Sequence, residues 1–255
     1  MRVAAIQFKA PTDERSVAAT AAATRTLSTL CDQAGQQGAQ LIVCPEMAAT
    51  RYLFTDAAAA ARIAEPATGP GYQELAAVAQ RHAAYLVCGY AEQAFDADGK
   101  PSRLYNSARL IGPDGALLYN YRKRLLFDAD ETWASPGDVP YPLLQTPHAR
   151  LAAGICMDLN DDRFTAFLRQ TAPHVVAFCT NWVDEGFDVR PYWRYRLQDV
   201  PSYFIAANTY GEESARGHAR TTFSGCSAIL SPQGRTLALA PKLGDAVLVA
   251  DLPLP

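Results

Sequence analysis

Leu151-Ala152-Ala153-Gly154-Ile155-Cys156-Met157-Asp158-Leu159-Asn160 is the stretch on which the prediction of the fold depends. It begins with small and apolar residues, typical of a short buried strand, and ends in Asp and Asn residues that favour a turn. Apolar residues then recur at helical spacing up to Gln170, with Asn160 or Asp161 as the candidate N-cap. We therefore predict that Cys156 lies where a strand gives way to a helix. There, helix N–H groups lower the pKa of a thiol and favour the thiolate. A small buried core residue is the alternative for an isolated cysteine.

The composition describes a soluble globular protein. Of the 255 residues, 49% are hydrophobic and 19% charged, and the net charge of −3 gives no sign of nucleic-acid binding. No stretch resembles a signal peptide or is apolar enough to cross a bilayer. The six cysteines form no Cys-x-x-Cys pair and have no nearby histidine, which argues against zinc and for free thiols in a reducing compartment. We expect a cytoplasmic protein without a cofactor, a metal, or a nucleic-acid or membrane partner.

Apolar runs of strand length alternate with helical patterns along the chain. No repeat, low-complexity tract or linker interrupts this alternation, so we interpret residues 1–255 as a single α/β domain. The alternation of strands and helices is by itself also compatible with a doubly wound sheet. Strands are predicted at 3–8, 41–44, 85–90, 105–111, 116–121, 175–178, 203–208, 223–230, 236–240 and 246–251, and helices at 16–36, 56–64, 72–83, 161–170 and 190–200.

Three chemically capable side chains stand at the ends of predicted strands. Glu46 follows the apolar run Leu41–Cys44 and Pro45, Lys123 ends a strand–turn–strand unit, and Cys156 ends the strand described above. Each is weak evidence by itself, because the ends of strands in α/β proteins lie near the surface and solvated side chains are common there.

The order and the surroundings of these residues resemble the nitrilase superfamily of carbon–nitrogen hydrolases. The resemblance covers nearly the whole chain and implies a four-layer α-β-β-α sandwich with the site at one end of two sheets, and a homodimer. The matching segments are Ala5-Ile6-Gln7, Pro45-Glu46-Met47, Tyr105-Asn106-Ser107, Tyr121-Arg122-Lys123, Gly154-Ile155-Cys156-Met157-Asp158 and Phe223-x-Gly225-x-Ser227-x-Ile229-x-x-Pro232-x-Gly234.

The resemblance implies that Glu46, Lys123 and Cys156 are the catalytic residues. An amide carbonyl is a poor electrophile and requires a strong nucleophile, which a thiolate provides. Glu46 is expected to be the general base, and Lys123 and the N–H of Met157 to stabilise the oxyanion. A Cys–His mechanism is the alternative, and it would require one of the four histidines to approach Cys156.

A second acidic residue after the lysine orients the site in many members of the superfamily. Glu131 fits this role by position, and Asp130 is the competing candidate one residue away. The sequence leaves the choice between them open.

The residues around the cysteine and the lysine are similar to those of protein amino-terminal amidases, which convert N-terminal Asn or Gln to Asp or Glu. This resemblance implies a peptide substrate with a free α-ammonium group, which requires carboxylates. Aliphatic amidases, ω-amidases and carbamoylases share the catalytic residues, and a non-catalytic protein of the same fold is a further alternative. The expected substrate-binding residues are Met157, Asp158, Asn181, Trp182, Tyr52 and Asp130, and the candidate carboxylates are Asp130, Asp158, Asp184, Glu185 and Asp188.

Overall fold

Two six-stranded sheets pack face to face, with helices on both outer surfaces, in the computed structural model, which describes residues 1–12 and 14–254. The predicted α-β-β-α sandwich is therefore confirmed. No helix in these residues is both long and apolar enough to span a bilayer.

The strands are β1 (Arg2–Gln7), β2 (Leu41–Val43), β3 (Tyr85–Phe95), β4 (Pro101–Ile111), β5 (Leu117–Arg122), β6 (Leu143–Gln145), β7 (Arg150–Ile155), β8 (Val175–Thr180), β9 (Tyr203–Asn208), β10 (Tyr210–Glu213), β11 (Thr221–Ser224), β12 (Ala228–Leu230), β13 (Thr236–Leu239) and β14 (Ala246–Asp251). The helices are α1 (Val17–Gln36), α2 (Ala57–Ala61), α3 (Pro70–His82), α4 (Asp128–Glu131), α5 (Asp162–Thr171) and α6 (Arg190–Arg196), and a 3₁₀ turn covers Cys156–Asn160.

The first sheet has the order β14-β1-β2-β3-β4-β5, and the second has the order β13-β12-β9-β8-β7-β6. Each contains three neighbouring parallel strands: β1, β2 and β3 in the first, and β7, β8 and β9 in the second. Strands β10 and β11 form a separate two-stranded ribbon.

Alternate residues of the central strands face different apolar layers. Val3 and Ala5 of β1 belong to the core between the two sheets, whereas Ala4 and Ile6 pack in the layer that contains α1 and α3. A third cluster joins the second sheet to α5 and α6. Both faces of these strands are covered, so their sequences are continuous apolar runs such as Leu41–Val43.

The segment after Cys156 follows the predicted strand-to-helix order. Helix α5 begins at Asp162, and the side chain of the N-cap Asp161 accepts a hydrogen bond from the N–H of Arg163. Asp161 is thus the N-cap, one of the two residues the sequence proposed.

The predicted strand 223–230 is wrong as one continuous element. It is divided into β11 and β12 at Gly225 and Cys226, which have φ angles of +59° and +51°. A side chain at 225 would collide with the carbonyl oxygen of Lys242, because a Cβ there would lie 2.0 Å from it. The close approach of the 242 backbone thus requires glycine and ends the strand.

Candidate active site

The ends of β2 and β5 bring Glu46 and Lys123 into direct contact. The Lys123 ammonium donates to Glu46 Oε1 at 2.7 Å and to Asp130 Oδ2 at 2.6 Å. All three side chains are fully buried. One cation therefore lies between two carboxylates, an arrangement with a net charge of −1 in a site of low dielectric.

Asn106 of β4 forms hydrogen bonds with both carboxylates that flank Lys123. Its Nδ2 donates to Glu46 Oε1 at 2.8 Å and to Asp130 Oδ1 at 3.0 Å, so it bridges the two carboxylates. The segment Tyr105-Asn106-Ser107 resembles a family motif, but the sequence by itself indicates no role for Asn106 in the site. The missing information was the pairing of β4 with β5, which places Asn106 beside Lys123, whose N–H donates to the Asn106 carbonyl at 2.8 Å.

Cys156 is the first residue of the 3₁₀ turn and directly follows β7. Its φ angle of +41° lies in the left-handed region, which residues with a Cβ rarely adopt. Backbone strain of this kind persists only where the surrounding structure enforces it and is common at functional sites. The cysteine is 7% exposed and lines the cavity described below.

The expectation that the helix start lowers the pKa of Cys156 is wrong. Burial raises the pKa of this thiol to about 12, Glu46 adds to the rise, and Lys123 opposes it. The turn that follows is too short to offset desolvation of a thiolate. Cys156 is therefore a neutral thiol at rest and needs a base to become nucleophilic.

Burial and charge pairing shift the pKa values of both members of the buried pair upward. Burial acts to lower the pKa of Lys123, but Asp130 and Glu46 outweigh it and raise this pKa well above its usual range. Burial raises the pKa of Glu46, and Lys123 opposes that rise. Lys123 is thus a permanent cation beside a carboxylate whose basicity is increased.

Asp130, and not Glu131, is the second acidic residue of the site. Asp130 is fully buried against Lys123, whereas Glu131 is exposed. Consecutive helical residues point about 100° apart, so only one of the two can face Lys123 from the single turn of α4. The placement of Glu131 in the site was wrong.

Asp158 does not line the cavity and is not placed to bind substrate. It is fully buried, and its Oδ2 accepts from the Tyr121 hydroxyl at 2.8 Å and the N–H of Ile155 at 2.9 Å. Its Oδ1 accepts from the N–H groups of Arg124 and Leu125 at 3.1 and 3.2 Å. This carboxylate therefore connects the backbone before Cys156 with the backbone after Lys123, and so joins the two sheets at the site.

The cavity in front of Cys156 has a volume of about 410 Å³, within the range of small-molecule sites. Among the expected substrate-binding residues, Tyr52, Met157, Asn181 and Trp182 line it, and Asp130 does not. The other lining residues are Phe127, Asn160, Val183, Glu185, Phe187, Val189 and Tyr192.

Asn181 connects this cavity to Glu46. It follows β8, and its N–H donates to Glu46 Oε2 at 2.9 Å. The next N–H, that of Trp182, donates to Asn208 Oδ1 at 2.9 Å. Asn208, at the end of β9, thus holds Trp182 of the cavity wall in place. Asn181 of the same wall in turn holds the buried carboxylate of Glu46.

The Cys–His alternative is excluded by the positions of all four histidines. None lines the cavity, and each has a partner elsewhere. The partners are Asp32 for His82, Gln40 for His148, the N–H of Arg150 for His174 and the carbonyl of Phe54 for His218.

A buried Glu–Lys pair beside a strained cysteine, between two sheets of an α-β-β-α sandwich, defines the class of cysteine-dependent hydrolases with this fold. The chain matches the carbon-nitrogen hydrolase family model over residues 2–255, and it belongs to that family. The chain is therefore a carbon-nitrogen hydrolase.

Relatives with different substrates have similar identities to this chain. It is 30% identical to an omega-amidase from Bos taurus, with 88% of this chain and 80% of the relative covered. An N-carbamoylputrescine amidase from Solanum lycopersicum is 28% identical over 99% and 86% of the two chains. A protein N-terminal amidase from Schizosaccharomyces pombe is 27% identical over 83% and 86%.

A solved structure has the same fold. The amidase of the nitrilase superfamily from Nesterenkonia superimposes with a TM-score of 0.80 at 22% identity, covering 99% of this chain and 90% of that one.

Proposed function

We propose that this hydrolase deamidates the N-terminal Asn or Gln residue of peptides or proteins, with Cys156 as the nucleophile and Glu46 as the general base. The observation that carries the mechanism is the buried contact of 2.7 Å between Glu46 and Lys123, beside a thiol whose pKa is raised to about 12. A neutral thiol in that position requires a base, and the carboxylate of Glu46 has increased basicity.

The first half-reaction forms a thioester. The Sγ of Cys156 attacks the carboxamide carbon while the thiol proton moves to Glu46. The oxyanion is stabilised by the Lys123 ammonium and the N–H of Met157. Glu46 then gives the proton to the leaving nitrogen, the C–N bond breaks and ammonia departs.

The second half-reaction releases the acid. Glu46 takes a proton from a water molecule, which attacks the thioester carbon, and the C–S bond breaks as the Cys156 sulfur recovers its proton. Because Glu46 acts in both halves, we expect Glu46→Gln to lower kcat/KM by about 10²–10⁴-fold without unfolding the protein. Cys156→Ala should abolish turnover and the acyl adduct detected by intact mass.

The charge of the cavity supports a cationic substrate. Among the described residues that line it there is no lysine, arginine or histidine, and there is one carboxylate, Glu185. A substrate carboxylate, such as that of free glutamine, a 2-oxo acid amide or a carbamoyl amino acid, would find no cation in the cavity wall, because Lys123 lies behind it and is paired with two carboxylates. The α-ammonium of an N-terminal residue has the complementary charge.

A carbamoyl amine is the second candidate, because it combines an ammonium group with an apolar chain. The cavity has apolar walls from Phe127, Val183 and Val189 that can contact methylene groups. One of the relatives named above is an N-carbamoylputrescine amidase.

Ammonia release from a matched substrate panel tests the proposal. We expect kcat/KM for peptides with a free N-terminal Asn or Gln to exceed that of their N-acetylated forms by at least about tenfold, the effect of one charged hydrogen bond. Cys156→Ala is the control for non-enzymatic deamidation. Equal rates on free and acetylated peptides, or faster turnover of a small ω-amide or a carbamoyl amine, would overturn the peptide assignment.

A further inference from the structure

Glu185 is the acidic residue of the cavity wall and lies in the exposed segment between β8 and α6. Within residues 1–12 and 14–254, no hydrogen bond or ion pair engages its carboxylate. No protein cation therefore neutralises the Glu185 carboxylate.

The other acidic residues of the same segment differ from Glu185 in this respect. Asp184 forms an ion pair of 2.6 Å with Lys242, and Asp188 forms one of 2.8 Å with Arg190. The remaining candidate carboxylates, Asp130 and Asp158, are fully buried and bound by protein donors. Of the five acids considered from the sequence, Glu185 alone lines the cavity.

An unpartnered acceptor occurs in the same cavity wall. The Oδ1 atom of Asn181 is buried and has no hydrogen-bond partner among the described residues, and Asn181 is 4% exposed. The N–H of the same residue donates to Glu46, which fixes Asn181 next to the reacting groups. A buried acceptor without a donor is energetically unfavourable, so this atom is suited to an N–H group of a ligand.

We propose that Glu185 and the Asn181 side chain together bind a primary ammonium group of the substrate. In the proposed function, on which this inference rests, that group is the α-ammonium of the N-terminal residue. An ammonium group has three donors and no acceptor, which matches two acceptors in a cavity without a competing cation. N-acetylation removes the charge and leaves a single N–H, so an ammonium site at Glu185 predicts discrimination against blocked peptides.

The variant Glu185→Gln tests this proposal on free and acetylated peptides of the same sequence. We expect kcat/KM for the free peptide to fall by about 10–100-fold, mainly through KM, and the ratio of free to acetylated kcat/KM to approach one. Asn181→Ala should lower the same ratio. The matched control is Asp188→Asn, which removes an equal charge from the same segment and should preserve the ratio within about twofold.

Reversal of the charge provides an independent measurement. Glu185→Lys should shift the preference toward small ω-amides that contain a carboxylate, because the cavity then offers a cation. Circular dichroism verifies that each variant is folded.

The outcomes separate this inference from the proposed function. Wild-type enzyme that prefers free peptides, together with a Glu185→Gln variant that retains the preference, would overturn the role of Glu185 alone. Wild-type enzyme that prefers a carbamoyl amine, with Glu185→Gln lowering that rate and not the rate on a neutral amide, would support the ammonium site and overturn the peptide assignment.

Discussion

At the scale of single residues, the site depends on the pairing of one buried cation with two buried carboxylates. Lys123 is held between Glu46 and Asp130, and Asn106 bridges the two carboxylates. Removal of one partner of a buried ion pair leaves an uncompensated charge, which costs more than the loss of a surface pair. Activity should therefore be sensitive to substitution of Asp130, and it should not be sensitive to substitution of the adjacent Glu131.

We expect Asp130→Asn to lower kcat/KM by about 10²-fold, because it removes a charge that holds the Lys123 ammonium in place. Glu131→Gln is the matched control, since it removes the same charge one residue away on an exposed side chain, and should retain activity within about twofold. Steady-state kinetics of both variants provide the comparison. Equal losses in the two would show that Asp130 has no special role.

The pH dependence follows from the two raised pKa values. Glu46 must be ionised to act as a base, and burial raises its pKa above 4.5. The acid limb of kcat/KM should therefore have its midpoint above pH 4.5, with activity rising as pH increases through it. Cys156, with a pKa of about 12, should be a neutral thiol in the free enzyme at pH 8.

Thiolate absorbance at 240 nm measures directly whether Cys156 is a neutral thiol in the free enzyme. The difference between wild-type protein and Cys156→Ala isolates this cysteine from the other five. We expect no titration step in that difference below pH 9. A step near neutral pH would contradict the base-dependent mechanism and favour a preformed thiolate.

At the scale of elements, the site is assembled from the ends of strands that pack closely against each other. The chain around Glu46 lies directly on β3, where Gly89 donates its N–H to the carbonyl of Pro45 at 3.1 Å and accepts from the N–H of Ala48 at 3.1 Å. A Cβ at Gly89 would lie 2.5 Å from the Cα of Glu46. The absence of a side chain at this position therefore sets the position of Glu46, the proposed base.

Gly89→Ala should displace Glu46 and lower kcat/KM by about 10²-fold, the effect of a misplacement of about 1 Å. We expect it to cost about 1–3 kcal/mol of stability through overpacking. Gly112→Ala is the control, because its Cβ would meet side-chain atoms of Asp114 and Leu118 and not the backbone of the site. Kinetics and thermal unfolding of both variants test the prediction, and wild-type kinetics in Gly89→Ala would contradict it.

At the scale of the whole molecule, the two sheets share one apolar core. Side chains from β1 to β4 and from β7 to β9 belong to the same buried cluster, which also includes Cys156. The C-terminal strand β14 pairs with β1 and so returns the chain to the first sheet. The single domain, the homodimer and the cytoplasmic location remain predictions of the sequence.

A shared core predicts that the two sheets unfold together. In urea, far-UV circular dichroism, tryptophan fluorescence and activity should lose their native values in one coincident transition. Ile205→Ala, a truncation in this core, should shift all three probes by the same amount and cost about 2–5 kcal/mol. Separate transitions for different probes would show that the sheets are independent domains.

The sequence alone predicted the features that depend on local order. The apolar runs identified the central strands, because both faces of those strands are covered. The elements around Cys156, and Glu46, Lys123 and Cys156 as candidate catalytic residues, were predicted from strand ends and family motifs. Family and fold followed from these motifs, which combine independently along the chain.

Only the tertiary structure decided what depends on contacts between distant segments. The sequence could not choose between Asp130 and Glu131, because adjacent residues differ only in which side of one helical turn meets Lys123. It predicted a lowered pKa for Cys156, whereas burial, a property of the assembled sheets, raises it. It placed Asp158 in the substrate site, although four donors brought together by the fold enclose that carboxylate. Periodicity is a property of neighbours along the chain, but desolvation and charge pairing are set by neighbours in space.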